Sequence, residues 1–347
     1  MNVMTAGCLH TQTKKTLGGD AFEATVQWVH NTVLARNVNV LVWLGDTIES
    51  VQGQDLLANL RAKWAIDTLK SLAVKHGVHV YMLIGNHDVY SDLYSALDIF
   101  DPPPSSAFYF VKKPMAVDYG SFRIALLPFE PWMDNPMNWG QHKFQDWVQT
   151  DDKPTALYTH VPIEGMMLGG SKDKGLDLVD VTMLFNIVFA GHYHIANNAE
   201  YDIGPVMTPI HVPGCVMAHN FKDLGRFHGA CLWQTDPAPT GSVTYLQNPY
   251  SHTFFSGTKD QLDIEIARCP FIGEQLHVNL TEDVDPAPYQ QAGIKTVRVR
   301  PKKESVVVAK KAVFDLGGDP VADVERLLSE RGQCSPKLLE LARKFLA

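Results

Sequence analysis

The chain has 347 residues, 45% hydrophobic and 20% charged, with a formal net charge of -8. That composition belongs to an ordinary globular protein, long enough for one large domain or two to three smaller ones, with a core that needs no staples. The acidic balance excludes polyanion binding through overall charge, so a nucleic-acid contact must rest on a local basic face or on metals.

The five cysteines, Cys8, Cys215, Cys231, Cys269 and Cys334, are scattered and include no C-x-x-C pair. A disulfide framework or a zinc knuckle is therefore not expected, and a reducing compartment fits. The N-terminus lacks a basic-then-apolar signal pattern, and no stretch approaches the ~18 apolar residues of a membrane span. A cytoplasmic protein with no membrane contact is expected.

In chain order, the apolar Val3 and Met4 lead into "AGCLHTQ" (6–12). Residues 20–36 place Phe22, Val26, Val29 and Val33 on one helical face, with Asn37 as a stop. "VNVLVWLGD" (38–46) has the length and continuity of a buried strand. Residues 54–76 predict a long helix with Leu57, Leu60, Trp64 and Leu72 inward, closed by Gly77. "VHVYMLIGNHD" (78–88) is another apolar strand, so the chain opens as an α/β layer with a largely parallel start.

"MAVDYGSFRIALLPF" (115–129) predicts a hairpin turning at 118–121. "TALYTHVPI", "NIVFAGHYH", "TPIHVPG", "HGACLWQ" and "SVTYLQ" follow as short strands. The expected class is α/β, or more closely an α+β sandwich: two packed mixed β-sheets flanked by helices. Glycines 169 and 170 predict a mobile loop. After about residue 250 the pattern shifts. Residues 294–313 carry Lys295, Arg298, Arg300, Lys302, Lys303, Lys310 and Lys311 against one acid, Glu304. From Asp319 the tail reads as two helical pieces, the last with an apolar stripe of Leu338, Leu339, Leu341 and Phe345.

Five polar clusters each follow an apolar strand: Cys8-Leu9-His10, Gly45-Asp46, Gly85-Asn86-His87-Asp88, Thr159-His160 and Gly191-His192-Tyr193-His194. Strand C-termini are where open α/β sheets place their sites. Histidine, aspartate and asparagine suit hard and borderline divalent metals. Hydrolysis of a phosphate ester needs an activated water, charge neutralisation and a proton for the leaving group. Two metals supply the first two, holding a hydroxide between them. Asp46 is the candidate bridging carboxylate. His192 and His194 flank Tyr193 and point to one side of an extended segment. His87, beside Asn86, is placed to act as a general acid. His30, His76, His79, His142 and His252 have no such company and read as surface or packing residues. His219 and His228 lie just after the motifs, where a supporting role is open.

These clusters resemble the calcineurin-like metallophosphoesterase superfamily, whose pattern is D-x-H, GD, GNH[DE], H and GH-x-H in that order. The match spans roughly residues 5 to 195. A finer resemblance follows, because "HVPGCVMAHNFKD" (211–223) is similar to the "PGS…SF.E" segment of the SbcD-type DNA repair nuclease family. That resemblance implies a nuclease domain over 1–255 and a small α/β capping, DNA-contacting domain over 256–315. It also implies a C-terminal helical ATPase-docking segment over 316–347. One metal would be held by Cys8, His10, Asp46 and His194, and the other by Asp46, Asn86, His160 and His192. His87 would orient or protonate the leaving group, and Arg298, Arg300, Lys302 and Lys303 would touch DNA. It further implies two divalent metal ions, manganese by family habit and zinc or iron at a cysteine ligand. The implied partners are DNA and an SbcC-like coiled-coil ATPase, with a homodimer as the assembly. A phage-encoded member would work in the host cytoplasm.

The chain departs from the pattern at Cys8, where the family has aspartate, and at Glu49 and Ser50. Two other readings follow. One is an enzyme of the same superfamily acting on a small phosphodiester or phosphomonoester. The other is a catalytically weak scaffold that binds DNA or the ATPase.

Overall fold

The computed structural model describes residues 1–11, 21–49, 56–90, 95–100, 107–129, 153–164, 166–168, 171–172, 175–202, 207–220, 223, 227–236, 241–268, 276–282, 284–291, 294 and 296–299. The chain divides into two compact units, Met1–Arg300 and Pro301–Ala347. The described residues all belong to the first.

The first sheet begins with β1 (Asn2–Ala6), α1 (Ala21–Ala35), β2 (Val40–Trp43), α2 (Leu56–His76), β3 (His79–Leu83) and β4 (Phe108–Val111). Strands β1 to β4 pair in parallel, as the helical crossovers require. A hairpin of β5 (Met115–Asp118) and β6 (Arg123–Leu127) starts the second sheet, turning where the sequence predicts. Next come β7 (Thr155–Thr159), the short β8–β9 ladder (Met167–Leu168 and Ser171–Lys172) and α3 (Leu178–Leu184). Strands β10 (Ile187–Ala190), β11 (Asn197–Asp202) and β12 (Met207–Val212) complete that sheet. Strands β13 (Gly229–Gln234) and β14 (Ser242–Gln247) then return to the first. The two six-stranded sheets run β14-β13-β1-β2-β3-β4 and β11-β12-β10-β7-β6-β5.

Strand periodicity explains why the sheets stack. Val3, Val40, Val42 and Tyr81 face Ile124, Leu126, Tyr158 and Phe189 in the layer between the sheets. Their neighbours Met4, Leu41, Trp43 and Val80 point the other way, onto α1 and α2. On the far side, Leu127, Leu157 and Val188 meet Val181 of α3. Both faces of each central strand are thus buried, so these strands read as continuous apolar runs.

One expectation is corrected. Helix α2 buries Ala58, Ala62, Ala65, Ile66, Leu69, Leu72 and Ala73. Leu57, Leu60 and Trp64 are instead 49%, 54% and 38% exposed. The small alanines let the helix lie close to its neighbours, which turns the larger side chains outward.

After Ser251 a smaller parallel sheet forms from β15 (Thr253–Gly257), β16 (Leu276–Leu280) and β17 (Thr296–Val299), joined by α4 (Lys259–Arg268) and α5 (Ala287–Gln291). It has its own core of Leu262, Leu276, Val278, Leu280, Tyr289 and Ile294. Glycines 169 and 170, His142, Ser50, Lys295, Arg300, Lys302, Lys303 and the two expected terminal helices lie outside the described residues. Among the described residues, no helix is long and apolar enough to cross a membrane.

Candidate metal centre

Five strand ends converge on one point. Cys8 and His10 follow β1, Asp46 follows β2, Asn86 and His87 follow β3, and His160 follows β7. His192 and His194 follow β10. The loops are tied by backbone bonds, with Cys8 N donating to Gly45 O (2.9 Å) and His10 N to Asp46 O (3.0 Å). Cys8, His10, Asp46 and His192 have φ of 53°, 47°, 50° and 70°. A left-handed backbone at a non-glycine residue costs of order 1–3 kcal/mol, and it clusters where function holds it. Here it turns four donors toward a common centre.

Close approach explains two glycines. A Cβ on Gly85 would lie 2.2 Å from Asp46 Oδ1, and one on Gly45 (φ +93°) would lie 2.7 Å from His160 Nδ1. Only glycine lets the two loops meet at the carboxylate. Asp88 then pins them: Oδ1 accepts from Thr47 N (3.0 Å) and Ile48 N (3.1 Å), and Oδ2 accepts from Gly85 N (2.9 Å). Asp88, the last residue of the Gly85-Asn86-His87-Asp88 cluster, is thus a buried clamp.

The donors sort into two sets. His10, His194 and Cys8 form one close group, and Asp46, His160 and Cys8 another. Asp46 Oδ2 lies 3.7 Å from His10 Nε2 and 3.1 Å from His160 Nε2, between the sets. Asn86 Oδ1 is 3.0 Å from both His160 Nε2 and His192 Nδ1. The structure therefore brings together Cys8, His10, Asp46, Asn86, His160, His192 and His194. His87 stands beside them: its backbone N donates to Asp46 Oδ1 (2.9 Å), and its ring centroid is 4.8 Å from that of His10. Arg298 is exposed on β17.

The far sides of three of these imidazoles are held. His160 Nδ1 donates to the Leu44 carbonyl. His194 Nδ1 donates to Asp223 Oδ1 (2.7 Å), whose Oδ2 accepts from His219 N (2.8 Å) and Asn220 N (3.2 Å). His10 Nδ1 lies 3.1 Å from Glu49 Oε2. Such partners fix the tautomer and leave Nε2 as the inward lone pair. His10 Nε2 and His194 Nε2 consequently face each other at 2.9 Å, and His160 Nε2 faces two oxygens. Lone pairs and carboxylate oxygens crowded in a buried site call for cations between them. The donor set fits divalent metals.

Charge follows the geometry. Burial raises the Asp46 pKa, but His160, His10 and His87 outweigh it and hold the carboxyl well below the usual range. Asp223 behaves alike: burial raises it, and His194 pulls it down further. Burial lowers His160 and His194, yet Asp46 and Asp223 respectively carry both above the ordinary value. For His192, burial and then His160 depress the pKa to about 3.

Asp223 and Glu49 are the supporting residues that the sequence reading left without a role. Asp223 closes the segment 211–223 already noted, and Glu49 stood out only as a departure. His219 packs edge-on to His10, with ring centroids 5.4 Å apart. His228 Nδ1 is 3.2 Å from Cys215 Sγ.

The model of the calcineurin-like phosphoesterase family matches residues 1–196, more than half of the chain. The chain belongs to that family, whose members hydrolyse phosphoesters with divalent metals. No curated protein gives a significant match. Solved structures of similar fold include YfcE, a phosphoesterase from E. coli (14% identity, TM-score 0.37, covering 72% of this chain and 94% of that one). A dimetal phosphatase from Danio rerio matches at 13% identity and TM-score 0.44, covering 67% and 91%. GAP50, the anchor in the inner membrane complex of Plasmodium, matches at 11% identity and TM-score 0.41, covering 83% and 98%.

Proposed function

We propose that this chain is a metal-dependent DNA nuclease of the SbcD type, acting in repair or recombination with an SbcC-like ATPase. The observation that carries hydrolysis is Asp46 Oδ2, set 3.7 Å from His10 Nε2 and 3.1 Å from His160 Nε2. A single carboxylate between two imidazole sets is what a pair of metals needs to share. Cys8, His10, Asp46 and His194 would hold one ion, and Asp46, Asn86, His160 and His192 the other. When bound, the ions supply an activated water and neutralise the phosphate.

The chain's own residues do the rest. His160, His194 and His10 are each fixed through Nδ1, so their Nε2 atoms stay aimed at the centre. His87 has its Nδ1 against the Glu49 carbonyl. Its Nε2 is the atom that delivers a proton to the leaving oxygen.

DNA as the substrate is supported by the segment 211–223, whose Asp223 holds His194. It is further supported by the basic run 294–313, of which Arg298 lies exposed on β17. In this reading residues 256–315 cap the nuclease domain, with Arg298, Arg300, Lys302 and Lys303 on the DNA backbone. Residues 316–347 dock the ATPase, and the enzyme works as a homodimer.

The test is cleavage of linear duplex and single-stranded DNA by the purified chain. Manganese, zinc and iron(II) are supplied in turn, with and without the ATPase partner. DNA cleavage that weakens steeply with added salt supports the reading. Turnover of a chromogenic phosphodiester with DNA left intact under every condition overturns it in favour of a small-molecule phosphodiesterase.

A further inference from the structure

Cys8 differs from the other buried cysteines in its company. Cys231 lies in the apolar layer between the sheets. Cys215 lies against His228 and groups with His194 and Asp223, but not with His10, Asp46 or His160. Cys8, like Cys215, is buried yet belongs to none of the apolar clusters, and it differs from Cys215 in the donors it meets. Its sulfur joins both donor groups, with His10 and His194 on one side and Asp46 and His160 on the other, each group within 4.8 Å. Among the described residues, no other residue belongs to both of these groups. The left-handed φ of 53° aims the side chain inward, as it does for its neighbour ligands.

We propose that Cys8 is a second shared donor beside Asp46, its thiolate bridging the two metal positions, and that it makes the centre select thiophilic ions such as zinc, iron(II) or cobalt(II) over manganese. The inference rests on the two-metal reading above and departs from it in giving Cys8 to both ions and in the metal preferred. Binding exchanges the thiol proton, which leaves to solvent, for two metal–sulfur bonds. A thiolate binds zinc at ~2.3 Å, and two-metal sites hold their ions ~3.5–4 Å apart, so one sulfur spans such a pair. Soft sulfur favours zinc and iron, whereas manganese prefers carboxylate and water oxygens.

The metal-free full chain is titrated with cobalt(II) while the near-ultraviolet thiolate-to-cobalt charge-transfer band is followed. The band should change with the first and again with the second equivalent. Cys8→Ser and Cys8→Asp should both lose it, and Cys215→Ser should keep it. In zinc–manganese competition, Cys8→Asp should shift the affinity ratio toward manganese by at least an order of magnitude. Two bound cobalt ions without a band, or a band complete at one equivalent, overturn the bridge while leaving the two-metal site standing. Failure to bind any cobalt sinks the two-metal reading as well.

Discussion

His10 and His194 bring their Nε2 atoms to 2.9 Å, and each sets its Nδ1 against a carboxylate, Glu49 for one and Asp223 for the other. The pair comes from opposite sheets, so the contact ties the sheets together at the candidate metal centre. Asp223 also accepts two backbone N–H groups, which makes it a rigid anchor for His194.

Asp223→Asn keeps the size and removes the charge. Removing a carboxylate that orients a ligating histidine typically weakens metal affinity ~10–100-fold. Calorimetric titration of the metal-free variant should show that loss at one of the two ions, with the far-ultraviolet circular dichroism unchanged. Equal affinity in variant and parent would show that His194 needs no such anchor.

Gly85→Ala tests the meeting of the two loops. The new methyl would sit 2.2 Å from Asp46 Oδ1 and 2.3 Å from Asp46 N. Neither loop can yield cheaply, because Asp88 holds both through three backbone N–H groups. Overpacking of this kind costs about 1–3 kcal/mol. Urea denaturation should show a lower midpoint, and metal binding should weaken with it. An unchanged midpoint would mean that the loops have slack the structure does not show.

The candidate donor cluster was legible because glycine, asparagine, aspartate and histidine fall directly after apolar runs. Strand period and strand ends are local signals. Asp223 was less legible, because it reaches His194 across 29 residues through an irregular segment. The Leu44 carbonyl that holds His160 is a backbone group and leaves no mark in residue type. Helix α2 was misread for a different reason. Its large apolar residues carry the stronger sequence signal, while tight packing against a helix and a sheet selects the alanine stripe.

That correction is testable on α2 itself. Leu69 is buried in the main core and Leu60 is 54% exposed. Leu69→Ala should cost about 2–5 kcal/mol, as buried leucine truncations do. Leu60→Ala should stay within about 0.5 kcal/mol, as exposed positions do. Chemical denaturation of the two variants ranks them. A larger loss at Leu60 would restore the inward stripe of Leu57, Leu60 and Trp64.

The metal-free protein should lose stability on acidification through its buried and half-buried histidines. Burial depresses His211 to about 4, and burial with His10 depresses His219 to about 3. Burial with His160 depresses His192 to about 3. Unfolded, each returns to 6.5 and takes up a proton there. The unfolded state then binds more protons, so stability falls as pH drops from 6.5 toward these values. Asp46 and Asp223 act at lower pH: their stability is present above 3.8 and is lost as pH falls further. His160 and His194 act the opposite way, because their raised values give stability that is full below 6.5 and is lost as pH rises through them. Thermal melts of the metal-stripped chain should therefore peak near neutrality and fall on the acid side. His219→Gln should flatten that acid limb by about one proton, or ~1.4 kcal/mol per pH unit. An acid limb of the same steepness in the variant would show that His219 is already protonated in the folded chain.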